Sequence, residues 1–135
     1  MIVVFDTNII VEAIFWPRST ARRALTALTR RRFTTAVNAG ILEEYSAITA
    51  EVRAKLFPSA QSSDALAWIA SESVRAEPMP LSGELSRNPD DNLFAATAAA
   101  GKAAFLGSQD RDLQVLEKPS SVAIVTPVEL LKQLR

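Results

Sequence analysis

The 135 residues contain neither cysteine nor histidine. That double absence removes disulfide scaffolds, Cys/His zinc sites, thiol nucleophiles and histidine-based triads together. Any chemistry here runs on carboxylates, hydroxyls, lysine or arginine. Glycine is scarce at 4 residues, beside 7 prolines, which excludes collagen-like and low-complexity architectures. Neither charge sign dominates. Fifteen Lys and Arg against fifteen Asp and Glu give a formal charge of zero, which excludes a globally basic nucleic-acid binder but not a local basic patch. Long apolar runs are missing too: nothing approaches the roughly 18 residues of a membrane span. The apolar opening, residues 1–5, meets Asp6 too early for a signal peptide. With 48% hydrophobic and 22% charged residues, the expectation is one soluble, cytoplasmic domain over residues 1–135, with no membrane partner.

Residues 2–5 are a β-branched and aromatic run ending at a polar cluster, the pattern of a buried strand. A short helix is predicted over 8–15, stopped before Pro17. Ser19 or Thr20 caps a second helix to about residue 31. A strand follows at 33–37, and Asn38 caps a long helix to about 57. A helix through about 74 comes next, then at most a short extended segment at 77–81 and a loop at 82–89. The remainder reads as helix 90–101, strand 103–107, short helix 110–117, strand 122–125 and a terminal helix opened by Pro127. Strands alternating with helices imply a three-layer α/β/α sandwich around a parallel sheet.

Of the six aspartates (Asp6, Asp64, Asp90, Asp91, Asp110 and Asp112), five fall where a predicted strand ends or a predicted helix begins. Ligands of open parallel sheets bind beyond the carboxyl ends of the strands, so Asp6 and Asp110 share that edge. Singly, each acid is also a good helix cap. Asp91, however, shares a helical face with Phe94, Ala95 and Ala98, and an acid on a buried face requires a partner. On the long helix, Ile41, Tyr45, Ile48 and Val52 mark the inward stripe, so Glu44 leans inward and Glu43 faces solvent. Asp6, Glu44, Asp91 and Asp110 are therefore expected to converge. Four carboxylates repel one another unless a hard divalent cation, Mg²⁺ or Mn²⁺, sits among them. Such a cation activates water and neutralises phosphodiester charge.

Asp6-Thr7-Asn8 after an apolar strand, Glu44 before Tyr45, the run from Asp91 to Ala98, and Ser108-Gln109-Asp110-Arg111-Asp112 resemble the ordered motifs of PIN-domain nucleases. The likeness spans nearly the whole chain and is closest to the VapC-like toxins of bacterial toxin–antitoxin pairs. The closing residues 124–131 resemble the end of one branch of that family. The resemblance implies an endoribonuclease dependent on Mg²⁺ or Mn²⁺, commonly a homodimer, with an antitoxin protein as partner. It makes Asp6, Glu44, Asp91 and Asp110 the metal-holding catalytic acids and Asp112 a secondary contributor. Asn8 becomes a supporting polar residue, and Ser108 occupies the place of the Thr or Ser that often precedes the fourth acid. Two positions depart: Asn88 stands where relatives frequently carry an acid, and Gln109 replaces a small residue. Neither removes a core carboxylate, but they keep open a catalytically weak PIN-like domain that works by protein or RNA binding.

Arg18, Arg22, Arg23, Arg30, Arg31 and Arg32 place six of the fifteen cations within fifteen residues. Arg30, Arg31 and Arg32 are expected either to contact RNA phosphates beside the metal site or to form a solvated helix end. Phe15, Trp16 and Trp68 read as core or interface residues, with base stacking the alternative for the first two. Apolar helices of the first half offer a groove for an antitoxin segment, as the resemblance implies. A phosphoacceptor receiver domain fits poorly, because Asp6 has no acidic neighbour before Glu12 and the last strand leads to Thr126-Pro127 with no Lys there. A haloacid-type hydrolase needs an Asp where Asn8 stands.

Overall fold

The computed structural model describes residues 1–78, 89–109 and 122–134, without the side chains of 89–92. The expected short helix 110–117, the loop 82–88, and residues Asn88, Asp110 and Asp112 lie outside the described residues. In chain order the elements are β1 (Ile2–Phe5), α1 (Thr7–Phe15), α2 (Thr20–Thr29), β2 (Thr34–Val37), α3 (Ala39–Leu56) and α4 (Ser63–Glu72). They continue with β3 (Val74–Arg75), α5 (Pro89–Ala100), β4 (Phe105–Gly107), β5 (Ala123–Val125) and α6 (Pro127–Gln133).

The five strands form one parallel sheet in the order β3-β2-β1-β4-β5. β1 is central, and Val3, Val4 and Phe5 are all buried, because a parallel sheet covered on both faces has no solvent side. The chain winds from β1 outward through β2 to β3, then returns across β1 to β4. Right-handed crossovers in opposite directions place α1 and α2 on one face and α5 on the other. α2 packs on α1 and α6, whereas α5 lies against β1, β2 and β4, and α3 touches α1, α4 and α5.

Three helices start immediately after a strand through one capping residue. Asp6, Asn38 and Thr126 each accept the N–H three residues on, from Ile9, Ile41 and Glu129. Thr126 and Glu129 complete a capping box. Each such cap contributes about 1 kcal/mol, and together they line the carboxyl end of the sheet with helix amino-termini. Asn38 also donates to the Ala76 carbonyl and to Thr97 Oγ1, at 3.0 and 2.8 Å, tying α3 to α5 and to the segment after β3.

Three sequence expectations are corrected. The helix before residue 74 ends at Glu72, and a strand the sequence did not announce lies at Val74–Arg75, while residues 79–81 of the expected segment 77–81 lie outside the described residues. There Val74 and Arg75 pair with Ala36 and Val37, giving β2 a partner on its outer edge. Ser73 supports the turn by donating to the Ile69 carbonyl at 2.5 Å. α2 stops at Thr29 instead of near 31, because Arg31 adopts φ 54°. Arg31 N–H then bonds the Leu28 carbonyl and Arg32 N–H the Ala27 carbonyl, a Schellman ending. On α3 the buried line runs through Ile41, Tyr45 and Thr49, while Ile48 and Val52 are half-buried.

Gly107 is opposite Phe5 in the β1–β4 register, and a Cβ there would stand 2.8 Å from Phe5 Cδ1. The Phe5 ring has little room to yield, packed edge-on against Phe33 at 5.8 Å. Gly107→Ala should destabilise the protein by about 1–3 kcal/mol, read as a lower urea midpoint at unchanged slope.

Candidate active site

β1 and β4 are neighbours in space but are wound in opposite directions, so the helices after them diverge. The crevice beyond their carboxyl ends is the switch point of the sheet, where open α/β folds bind ligands. The first residue past β1 is Asp6, and the first past β4 is Ser108. The ladder carries them side by side: Asp6 N–H bonds the Gly107 carbonyl at 3.0 Å, and Ser108 N–H bonds the Val125 carbonyl at 2.8 Å.

Asp6 is buried, with 4% of its surface exposed. Its Oδ1 accepts the Ile9 N–H at 3.1 Å, and its Oδ2 accepts the Ser108 hydroxyl. The amino-terminus of α1 favours the ionised carboxylate there. Glu44 is half-buried and Glu43 exposed, as the helical phase of α3 requires. Thr7, the first residue of α1, donates its hydroxyl to Glu44 Oε2. One strand-to-helix turn thus carries Asp6 and, through the next residue, fixes Glu44.

Tyr45 locks this geometry from below. Its phenol is buried and donates to the Phe5 carbonyl at 2.6 Å, while its ring stacks with Phe94 at 6.2 Å. Burial pushes the phenol pKa well above its ordinary 10.0, and the charges of Asp6 and Glu44 push it further. The hydrogen bond from Thr7 to Glu44, one residue past Asp6, brings the two acids into one neighbourhood.

The backbone of α5 carries Asp91 one turn before Phe94, on the face whose Phe94, Ala95 and Ala98 are buried. Its side chain lies outside the described residues, as do Asp110 and Asp112. Among the described residues no group of three acids is gathered closely enough to hold a metal ion alone. Asn8 is exposed in the first turn of α1.

Arg30, Arg31 and Arg32 do not flank the carboxylates. They precede β2, whose first N–H, from Thr34, bonds the Met1 carbonyl, so they stand at the opposite end of the sheet. Arg32 donates there to the Leu134 carbonyl. Arg22 is engaged by the carbonyls ending α1, through Ala13 at 2.5 Å and Ile14 at 3.2 Å. Phe15 stacks on Phe57 at 5.1 Å, with Trp16 edge-on to both. Trp68 is half-buried against the core.

Sequence reasoning missed Thr7, the phenol of Tyr45, and the link from Gln109 Nε2 to Glu12 Oε2 at 2.8 Å. Thr7 carried a usable signal: a hydroxyl at the first helical position directly after a buried strand faces the crevice with its neighbours.

The donors described are oxygens only, from carboxylates at a crevice lined by helix amino-termini. That set suits a hard, oxygen-preferring cation such as Mg²⁺ or Mn²⁺. A parallel α/β protein with an acidic switch-point crevice is the class these features define. Residues 2–112 match the PIN domain family, and the chain belongs to that family. No curated protein matches the chain in sequence. Among solved structures, it is similar to one chain of VapBC2 from Rickettsia felis, described as bound to a DNA fragment from their promoter. The TM-score is 0.51 at 17% identity, covering 92% of this chain and 97% of that one.

The protein has one tyrosine, so ultraviolet titration of the phenol reports Tyr45 alone. Its ionisation should not appear until well above pH 10, together with unfolding. A folded pKa above the unfolded value stabilises below pH 10 and is lost as pH climbs toward the folded value. Tyr45→Phe should cost about 0.5–1.5 kcal/mol at neutral pH and lack this part of the alkaline decline, measured by urea unfolding across pH.

Proposed function

We propose that this protein is a divalent-metal-dependent endoribonuclease, the toxin of a toxin–antitoxin pair. The observation that carries the reading is the buried Asp6 carboxylate at the switch point, oriented by Ser108 and the α1 amino-terminus, with Glu44 beside it. Membership of the PIN family, whose domains are generally nucleases, supports it. So does the likeness to a chain of a VapBC complex.

Asp6, Glu44, Asp91 and Asp110 would hold Mg²⁺ or Mn²⁺, with Asp112 contributing and Asn8 a polar support. The bound cation would supply an activated water and neutralise charge on the scissile phosphate. The chain's own residues do the rest. Ser108 and Thr7 hold carboxylate oxygens of Asp6 and Glu44 by hydrogen bonds, and Tyr45 keeps α3 fixed against the end of β1. A carboxylate of the acidic set would serve as acceptor for the proton of the attacking water.

The antitoxin is assigned to the groove between α1, α2 and α4, about 320 Å³, lined by Ala13, Ile14, Leu25 and Trp68 with Arg22 at its rim. The apolar lining suits an amphipathic segment. A homodimer completes the reading, and sedimentation tests it.

Purified protein should cleave members of a mixed RNA panel in Mn²⁺ or Mg²⁺ and stop on addition of EDTA. Ser108→Ala should lower metal affinity or rate by about 10- to 100-fold, as loss of an outer-shell partner does. Asp6→Asn should lose more. It should stay folded, because Asn caps a helix as well as Asp. Parental rates in Asp6→Asn would sink the site assignment.

A further inference from the structure

Arg23, Arg30 and Arg32 line a cleft of about 370 Å³ between α2 and α6, with Ala27, Leu131 and Leu134 among its walls. Arg23, Ala27 and Arg30 repeat at helical spacing, Arg30 as the carboxyl-terminal cap of α2, so the Arg23 and Arg30 backbones stand about 10 Å apart along one stripe. Arg31 is exposed beside them. No carboxylate of the described residues forms an ion pair with any of these arginines. No acid occurs between Glu12 and Glu43, so the zero net charge conceals a separation. Six arginines fall in residues 18–32, leaving nine cations against fifteen acids, a net −6, on the rest.

This separation is a difficulty for a nuclease. A polyanionic substrate is repelled by the acidic crevice, and attraction has to come from elsewhere on the surface. The cleft opens at the other end of β1, whose four residues span about 13 Å. An extended nucleic-acid strand can reach across that distance. Arg31 adds an independent sign. It holds φ 54° at the left-handed position of a helix ending, where glycine carries no strain. The chain keeps a cation at a strained position beside the cleft.

We propose that the α2–α6 cleft binds the phosphodiester backbone of RNA, a second contact remote from the cutting site. The guanidiniums of Arg23, Arg30 and Arg31 meet phosphates, and the apolar wall formed by Ala27, Leu131 and Leu134 accepts a sugar or base. The identity of the polyanion rests on the nuclease reading, but the contact itself requires no metal. It should therefore persist in EDTA and weaken with salt.

The test is anisotropy of a labelled single-stranded RNA against salt, in EDTA, with the parent, Arg23→Ala combined with Arg30→Ala, and Arg31→Gly. The double variant should bind at least about fivefold more weakly, its log–log salt slope reduced by about 0.7 per arginine. Arg31→Gly should lose about 0.7 of slope while its thermal midpoint holds or rises, which separates binding from folding. Affinity and slope equal to the parent's in the variants, or no RNA binding by the parent in EDTA, would overturn the proposal. So would intact RNA binding alongside arginine-dependent binding of a poly-glutamate peptide, which would make the cleft a protein site. Arginine-dependent RNA binding without cleavage of any RNA would sustain the cleft and sink the nuclease reading.

Discussion

β1 is hydrogen-bonded on both sides, to β2 in one direction of winding and to β4 in the other. Because those windings diverge, the carboxyl end of β1 is the switch point of the sheet, the place where open α/β folds bind ligands. Asp6 occupies that place as the cap of α1, and Ser108 arrives beside it because β4 is in register with β1. Glu44 follows from the same constraint. Thr7 is the next residue of the same turn, and α3 starts from the carboxyl end of the adjacent strand. The close β1–β4 approach that seats Phe5 over Gly107 is thus the same contact that sets Asp6 against Ser108.

Parallel topology also organises the electrostatics. Each helix that follows a strand directly begins at the carboxyl end of the sheet, so α1, α3 and α6 turn their amino-termini toward the acids. Their positive ends offset part of the carboxylate repulsion before any cation enters. α2 and α6 end at the opposite side, where their carbonyls favour cations, and Arg32 satisfies the Leu134 carbonyl there. The acidic and basic ends of the molecule are both matched to helix dipoles, which lets a chain of zero net charge carry two fields of opposite sign.

Much of this was legible from one sequence, for reasons specific to particular residues. Asn38 and Pro127 declare helix starts, the first because its side chain has a local backbone partner three residues away and the second because its ring presets the first helical turn. The opposite exposures of Glu43 and Glu44 follow from 100° of helical rotation per residue, with Ile41 and Tyr45 fixing the phase. The place of Arg30–Arg32, at the end of the sheet opposite the carboxylates, was not legible, because clustering in sequence says nothing about the end of a sheet at which a cluster stands. Arg22 carried the same apparent signal as its neighbours, yet it folds back on the carbonyls that end α1. β3 escaped notice because two residues have no periodicity, and its existence depends on the open edge of β2.

The sequence by itself determined most of the elements, the Asn38 cap, the alternation that makes the sheet parallel, and the acids at strand ends. These are set by interactions within a few residues, which a linear pattern records. Tertiary structure alone decided the strand order, the Ser108–Asp6 and Thr7–Glu44 pairs, and the seating of Tyr45 beneath both acids. It also decided the separation of the arginines from the carboxylates. Those contacts join residues from 37 to 102 positions apart in three hydrogen bonds. Packing two helical layers on a twisted sheet, with a change of winding direction at β1, brings such distant positions together.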